Sequence, residues 1–192
     1  MRIIRAASHR IMAWKNGLGR TDEIVIEPDG AGLEDFTLRI SMAHVGADGP
    51  FSLFDGVDRT LTVLEGGAMD LDFGDGEHVT LTPASQPFAF AGDRPVHARI
   101  TAPLVDLNVM TRRASHRHHV RRLSFDRTTS LTTTAAMTYV FAMSPCRVDE
   151  DGVSERLGAG DTLAADRPGM HLTLTPDNAA SVLVIGIDAK TP

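Results

Sequence analysis

Apolar and polar residues alternate at period two along Phe36-Thr37-Leu38-Arg39-Ile40-Ser41-Met42, as they do in a strand with one face buried. The β-branched run Ile24-Val25-Ile26 makes a strand of Glu23 to Glu27, although its glutamates would also suit a helix. Further strands are expected at Arg59 to Leu64, Met69 to Phe73, His78 to Leu81, Phe88 to Phe90 and His97 to Ile100. Between them lie Pro28-Asp29-Gly30, Phe54-Asp55-Gly56, Glu65-Gly66-Gly67, Gly74-Asp75-Gly76 and Gly92-Asp93-Arg94-Pro95, clusters that make tight connections. Turns recurring about every ten residues point to a sandwich or barrel rather than a parallel βαβ sheet. No long amphipathic helix competes with this pattern.

After an Arg- and His-rich stretch the pattern resumes. Met137 to Met143 reads as a strand, Ser144 to Gly152 as turn-rich, and Asp126 to Thr134, thick with Thr and Ser, as a loop or edge segment. Gly169 to Thr175 and Ser181 to Ile187 supply two more strands. Leu157-Gly158-Ala159-Gly160-Asp161 resembles the turns at Leu64 to Gly67 and Phe90 to Asp93, which suggests two related β-units divided within residues 112–125. The stretch from Arg112-Arg113 through His116, Arg117, His118 and His119 to Arg121-Arg122 is read as a solvated connector between them.

The most distinctive stretch is Trp14-Lys15-Asn16-Gly17-Leu18-Gly19-Arg20-Thr21-Asp22-Glu23-Ile24. Its glycines allow a tight bend and a close approach, but a plain turn has no need of an indole and an ammonium beside them. This loop is therefore expected at the rim of a ligand pocket. Together with Arg39 to Ala43, Asp48-Gly49-Pro50-Phe51-Ser52, Asp58-Arg59, Asp106 to Met110 and Arg112-Arg113, it resembles the HutD/Ves family of cupin-like proteins, with Leu18 where the family has the middle glycine of a triplet. If that glycine has positive φ, Leu18 must relax the turn or carry strain. The resemblance covers the first 113 residues and implies an all-β, cupin-like jelly-roll barrel, with two such units in one chain, a bicupin. Residues 1–113 would form the first unit and 114–192 the second, packed into one compact domain. It also implies an association with histidine utilisation, and a small acylated or formimino amino acid, such as a glutamate derivative, as ligand.

The net charge of −6 argues against general attraction to nucleic acid or anionic lipid, and no apolar run is long enough to span a bilayer. Cys146 is the lone cysteine, so no intrachain disulfide can form, and a cytoplasmic location is expected.

A barrel of this kind invites a metal, which needs three or four N or O donors converging at about 2.0–2.2 Å. His116-x-His118 has suitable spacing but sits among arginines, and Asp70-x-Asp72 suits a solvent-facing strand side. No metal or cofactor is expected. Neither a Gly-x-Ser-x-Gly elbow nor a phosphate-binding glycine loop is present.

What remains is a set of polar residues on strands. Period two places Asp106, Asn108 and Met110 on one side of a strand, and Arg39 and Ser41 together on another. Buried polar groups cost about 1–3 kcal/mol each unless partnered, so such a strand faces water or a polar pocket. The planar fork of Arg39 suits a carboxylate, while a structural ion pair of Arg39 with Asp106 or Asp58 is the competing reading. In the Asp48 to Arg59 loop, Phe51 and Phe54 would plug the barrel while Asp58 and Arg59 point to the pocket mouth.

The candidate ligand-binding residues are thus Trp14, Lys15, Asn16, Gly17, Arg39, Ser41, Asp58, Arg59, Asp106, Asn108 and Met110. The expected partner is a small anionic molecule, held by an accessory or regulatory protein that could form a homodimer. The rival readings are a small-molecule isomerase or hydrolase using Asp106 or Asp58 as base, and a structural module with no ligand.

Overall fold

The computed structural model describes residues 1–14 and 17–190, so Lys15 and Asn16 lie outside the described residues. Apart from one 3-10 turn at Ala6–Ser8, the regular structure found there is β-strand. The strands are β1 (Arg2–Ile4), β2 (Arg10–Ala13), β3 (Gly19–Glu27), β4 (Leu38–Val45), β5 (Gly49–Pro50), β6 (Val57–Gly66), β7 (Met69–Asp72), β8 (His78–Leu81), β9 (Phe88–Ala91) and β10 (His97–Ile100). They continue with β11 (Leu104–Arg112), β12 (His116–Phe125), β13 (Thr129–Thr132), β14 (Met137–Ala142), β15 (Cys146–Glu150), β16 (Val153–Leu157), β17 (Thr162–Ala165), β18 (His171–Pro176) and β19 (Ala180–Ala189).

The chain divides into two compact units, one of Arg10–Arg117 with Lys190 and one of Met1–His9 with His118–Ala189. The sequence reading counted residues 1–9 with the first unit. The antiparallel pairing of Arg2 to Ile4 with Ala164 to Thr162 puts them in the second.

In the first unit a six-stranded sheet, β2-β3-β4-β11-β6-β9, packs on a four-stranded sheet, β5-β10-β7-β8. The two share a core, to which Leu61 and Val63 come from one sheet and Met69, Leu71 and Leu81 from the other. The second unit pairs a five-stranded sheet, β1-β17-β14-β19-β12, with a four-stranded sheet, β13-β18-β15-β16. Adding eight to each strand number of β4-β11-β6-β9 gives β12-β19-β14-β17, and adding eight to β5-β10-β7-β8 gives β13-β18-β15-β16. The same jelly-roll topology is therefore traced twice, which fits a bicupin arrangement.

Two segments differ from the sequence reading. The supposed connector is largely β12, which hydrogen-bonds to β19 at the sheet edge. Cations and histidines occupy both faces of its first half, so no apolar alternation betrays the strand there. Ser144 to Gly152 contains β15, whose Cys146, Val148 and Glu150 are buried on one side. Its hairpin closes with Asp151 at φ 50° and Gly152 at φ 80°, the double left-handed conformation of a tight two-residue turn.

Candidate functional site

Each lateral row of side chains across the six-stranded sheet can be read from the register. Arg10 pairs with Glu23, Glu23 with Ser41, Ser41 with Asn108, and Asn108 with Leu61. The neighbouring row contains Ile26, Arg39, Met110, Arg59 and Phe90. The row on the other side contains Thr21, Ala43, Asp106 and Val63. Residues opposite one another in adjacent strands share a face. Arg39, Ser41, Arg59, Asp106 and Asn108 therefore project from one face, the one that packs on the four-stranded sheet.

Both faces of β11 are buried, with Leu107 and Val109 on the opposite side, so Asp106 and Asn108 do not face water. They face a polar interior. Glu23 and Asp106 each adjoin a break in strand register, between Glu23 and Val25 in the β3–β4 pair and between Val105 and Asp106 in the β11–β6 pair. Bulges of this kind re-aim a side chain that regular pleating would send elsewhere.

Two linked groups result. Arg39 donates from Nε to Glu23 Oε2 at 2.9 Å, with both side chains buried. Arg59 donates from Nε to Asn108 Oδ1 at 2.8 Å. The Asn108 amide in turn donates to Asp106 Oδ1. The Arg59 guanidinium lies 4.3 Å from the Phe51 ring centre and 5.4 Å from that of Phe90, within cation–π range. Hydrogen bonding engages both guanidinium groups through Nε.

Burial dominates the electrostatics. It pushes the Asp106 carboxyl up to about 7, against the opposing pull of Arg59 and the Asn108 hydrogen bond. Burial also lowers Arg59 to about 10, with Asp106 favouring its charge and the nearby Arg39 disfavouring it. The first interior thus holds two adjacent cations, one carboxylate bonded to Arg39, and a second carboxyl poised near neutrality.

The other expected residues stand outside these linked groups, Met110 on the same face and Asp58 on the opposite one. Met110 packs with Ala31, Phe36 and Val57 in an apolar cluster that Phe54 joins. Asp58 points to the opposite face, where Arg113 donates to its Oδ1 at 2.7 Å, so it does not stand beside Arg59. The partner of Arg39 is Glu23, rather than Asp106 or Asp58. Phe51 joins the interior core, whereas Phe54 stacks edge-on with Phe36 at 5.9 Å.

Trp14 packs against the core and donates from Nε1 to Thr21 Oγ1 at 2.9 Å. Gly17 takes φ 71°, while no positive φ falls on Leu18, whose side chain is half exposed. Leu18 therefore carries no left-handed strain. Gly19 is the position that admits no side chain: a Cβ there would lie 2.4 Å from the His44 carbonyl oxygen and 2.8 Å from the Trp14 ring. Lys15 and Asn16, also candidates, lie outside the described residues.

Two depressions mark the surface of this unit. One of about 550 Å³ is bordered by Gly17, Leu18, Gly19, His44 and Glu65. The other, of about 320 Å³, is bordered by Phe51, Leu53, Phe73 and His97. Neither is lined by Arg39, Arg59 or Asp106, but Phe51 separates the smaller one from Arg59. Among the described residues, no three His, Cys, Asp or Glu side chains gather in a metal-binding arrangement.

The second unit, built on the same topology, has a different interior. Its core presents Val140 and Ala142 on β14 and Val182 and Val184 on β19, where the equivalent β6 and β11 carry Arg59, Asp106 and Asn108. The polar chemistry belongs to one copy of the repeat.

Sequence reading missed two residues, Glu23 and Arg10. Glu23 was visible as a charge heading an apolar strand, but its role depends on the β3–β4 bulge. Arg10 joins the row only through the β2–β3 register, with its side chain mostly exposed, and no local pattern marks it. Phe51, expected to plug the barrel, lies against the interior core.

This two-sheet architecture defines a cupin-fold protein. A cupin 2 conserved barrel domain protein from Leptotrichia buccalis shares the fold, with a TM-score of 0.58 at 10% identity over 87% of this chain and 88% of that one. The family profile of HutD matches residues 6–184, and the chain belongs to the HutD family. It is similar to HutD from Pseudomonas fluorescens SBW25, solved in a formate condition, with 33% identity, a TM-score of 0.81 and 99% of each chain covered. It is also similar to the conserved protein of unknown function PA5104 from Pseudomonas aeruginosa PAO1, with 35% identity, a TM-score of 0.88, and 97% and 98% of the two chains covered.

Proposed function

We propose that the polar interior of the first unit binds a small organic anion, an acidic amino-acid derivative of the formyl- or formimino-glutamate class. In this reading the protein serves histidine utilisation as an accessory or regulatory binder. The observation that carries the proposal is the placement of two buried guanidinium groups, Arg39 and Arg59, in one lateral row on one face, each anchored through Nε. A guanidinium reads a carboxylate through parallel N–H donors, and a neighbouring like charge raises the benefit of bringing an anion between them. The carboxamide of Asn108 and the hydroxyl of Ser41 add neutral hydrogen-bonding capacity on the same face. Membership of the HutD family supports the metabolic link.

Calorimetric titration and thermal shift with formylglutamate, formiminoglutamate and urocanate test this reading. Saturable binding that Arg59→Gln abolishes is expected. No heat and no shift with all three would overturn it.

One observation favours a second reading. Asp106 sits near neutrality, where a general base works best, whereas Asp58 is held in a surface ion pair. Turnover of a bound ligand that Asp106→Asn removes, with the fold intact, would make the protein an enzyme.

A further inference from the structure

The row that carries Asn108 and Ser41 ends at Arg10, on the edge strand β2. Its side chain shares the face of the buried cluster but is mostly exposed, at 65%. Nη1 of Arg10 stands 3.6 Å from Glu23 Oε1, while the other oxygen of Glu23 accepts the bond from the buried Arg39. Nη2 of Arg10 reaches Met12 Sδ at 3.3 Å, a weak acceptor. Glu23 is therefore shared between an inner and an outer guanidinium, one held tightly and one loosely.

We infer that Arg10 is a specificity-determining arm at the mouth of this site, exchanging Glu23 for the outer carboxylate of a ligand that carries two. This rests on the anion-binding reading above. Three features support the exchange. The contact between Arg10 and Glu23 is longer than a hydrogen bond and exposed on the arginine side, the kind of pair that contributes little and yields readily. Releasing it leaves Glu23 still neutralised by Arg39. The span also fits: adjacent strands lie about 4.8 Å apart, so β2 stands roughly 14 Å from β11, and an arginine arm reaches inward over part of that distance. A ligand with a single carboxylate would be held by the inner arginines and leave Arg10 on Glu23. A dicarboxylate whose second charge points outward would recruit it.

The test compares N-formylglutamate with its isosteric amide N-formylglutamine, titrated into the full chain as wild type and as Arg10→Gln. Wild type is expected to prefer the dicarboxylate. Arg10→Gln should lose about tenfold in affinity for it, one charge-assisted contact's worth, with the amide bound as before. Because Arg10 is exposed, that tenfold preference should also shrink between low and high salt in wild type and be absent from Arg10→Gln. Equal affinities of wild type and Arg10→Gln for the dicarboxylate would overturn the inference while leaving the anion site standing. Wild type that binds neither compound would overturn both.

Discussion

Arg59 and Asp106 are joined through Asn108 and do not bond directly: the guanidinium donates to the carboxamide oxygen at 2.8 Å, and the amide nitrogen donates to the carboxylate. A neutral side chain thus relays between two buried ionisable groups. Its truncation leaves a donor and an acceptor unmatched in the interior. Asn108→Ala should therefore destabilise the fold by about 2–4 kcal/mol, from two unsatisfied groups and a small cavity. Urea denaturation measures this, and an unchanged midpoint would refute the relay.

Asp106 makes stability depend on pH in an unusual direction. Its carboxyl is raised to about 7 in the folded protein, against about 3.9 for an unfolded chain. Between those values the folded state binds the extra proton, so stability falls as pH rises, by at most about 1.4 kcal/mol per pH unit, and levels off above about 7. Asp106→Asn should remove this component. Melts of wild type and variant from acidic to mildly alkaline pH should show wild type losing ground to the variant as pH increases; parallel curves would count against it.

The same titration bears on the ligand. Above neutral pH Asp106 gains a negative charge beside Arg59, which opposes an incoming anion. Affinity for formylglutamate should weaken several-fold from mildly acidic to mildly alkaline pH, and Asp106→Asn should flatten that profile.

Glu23 and Arg39 form a buried ion pair. Removing one partner strands the other charge, so Glu23→Leu should cost about 3–5 kcal/mol. Replacing both, as Glu23→Leu with Arg39→Met, should cost less than Glu23→Leu alone, because no buried charge is left over. A double-mutant cycle by chemical denaturation decides the matter, and additive losses would contradict the pairing.

In the glycine loop, the two positions should respond in opposite ways to their sequence appearance. Gly19→Ala forces a Cβ against the His44 carbonyl and the Trp14 ring, and should cost about 1–3 kcal/mol. Leu18→Gly, which restores the glycine triplet, should gain nothing. It adds unfolded-state freedom and costs about 0.4–1 kcal/mol. Thermal melts of the two variants distinguish these outcomes.

Sequence by itself determined the strand-and-turn rhythm, the all-β class, the family, and the co-facial sets Arg39 with Ser41 and Asp106 with Asn108. Each of these follows from period-two alternation or from local motif chemistry, which one strand expresses alone. Only the tertiary structure decided that these sets share one interior, that Glu23 takes Arg39, that Asp58 turns away to Arg113, and that β12 is a strand. Those outcomes depend on inter-strand register and on two bulges, and a one-residue shift in either would send every later side chain to the other face. No local residue pattern encodes such a shift, because it is set by pairing between segments far apart in the chain.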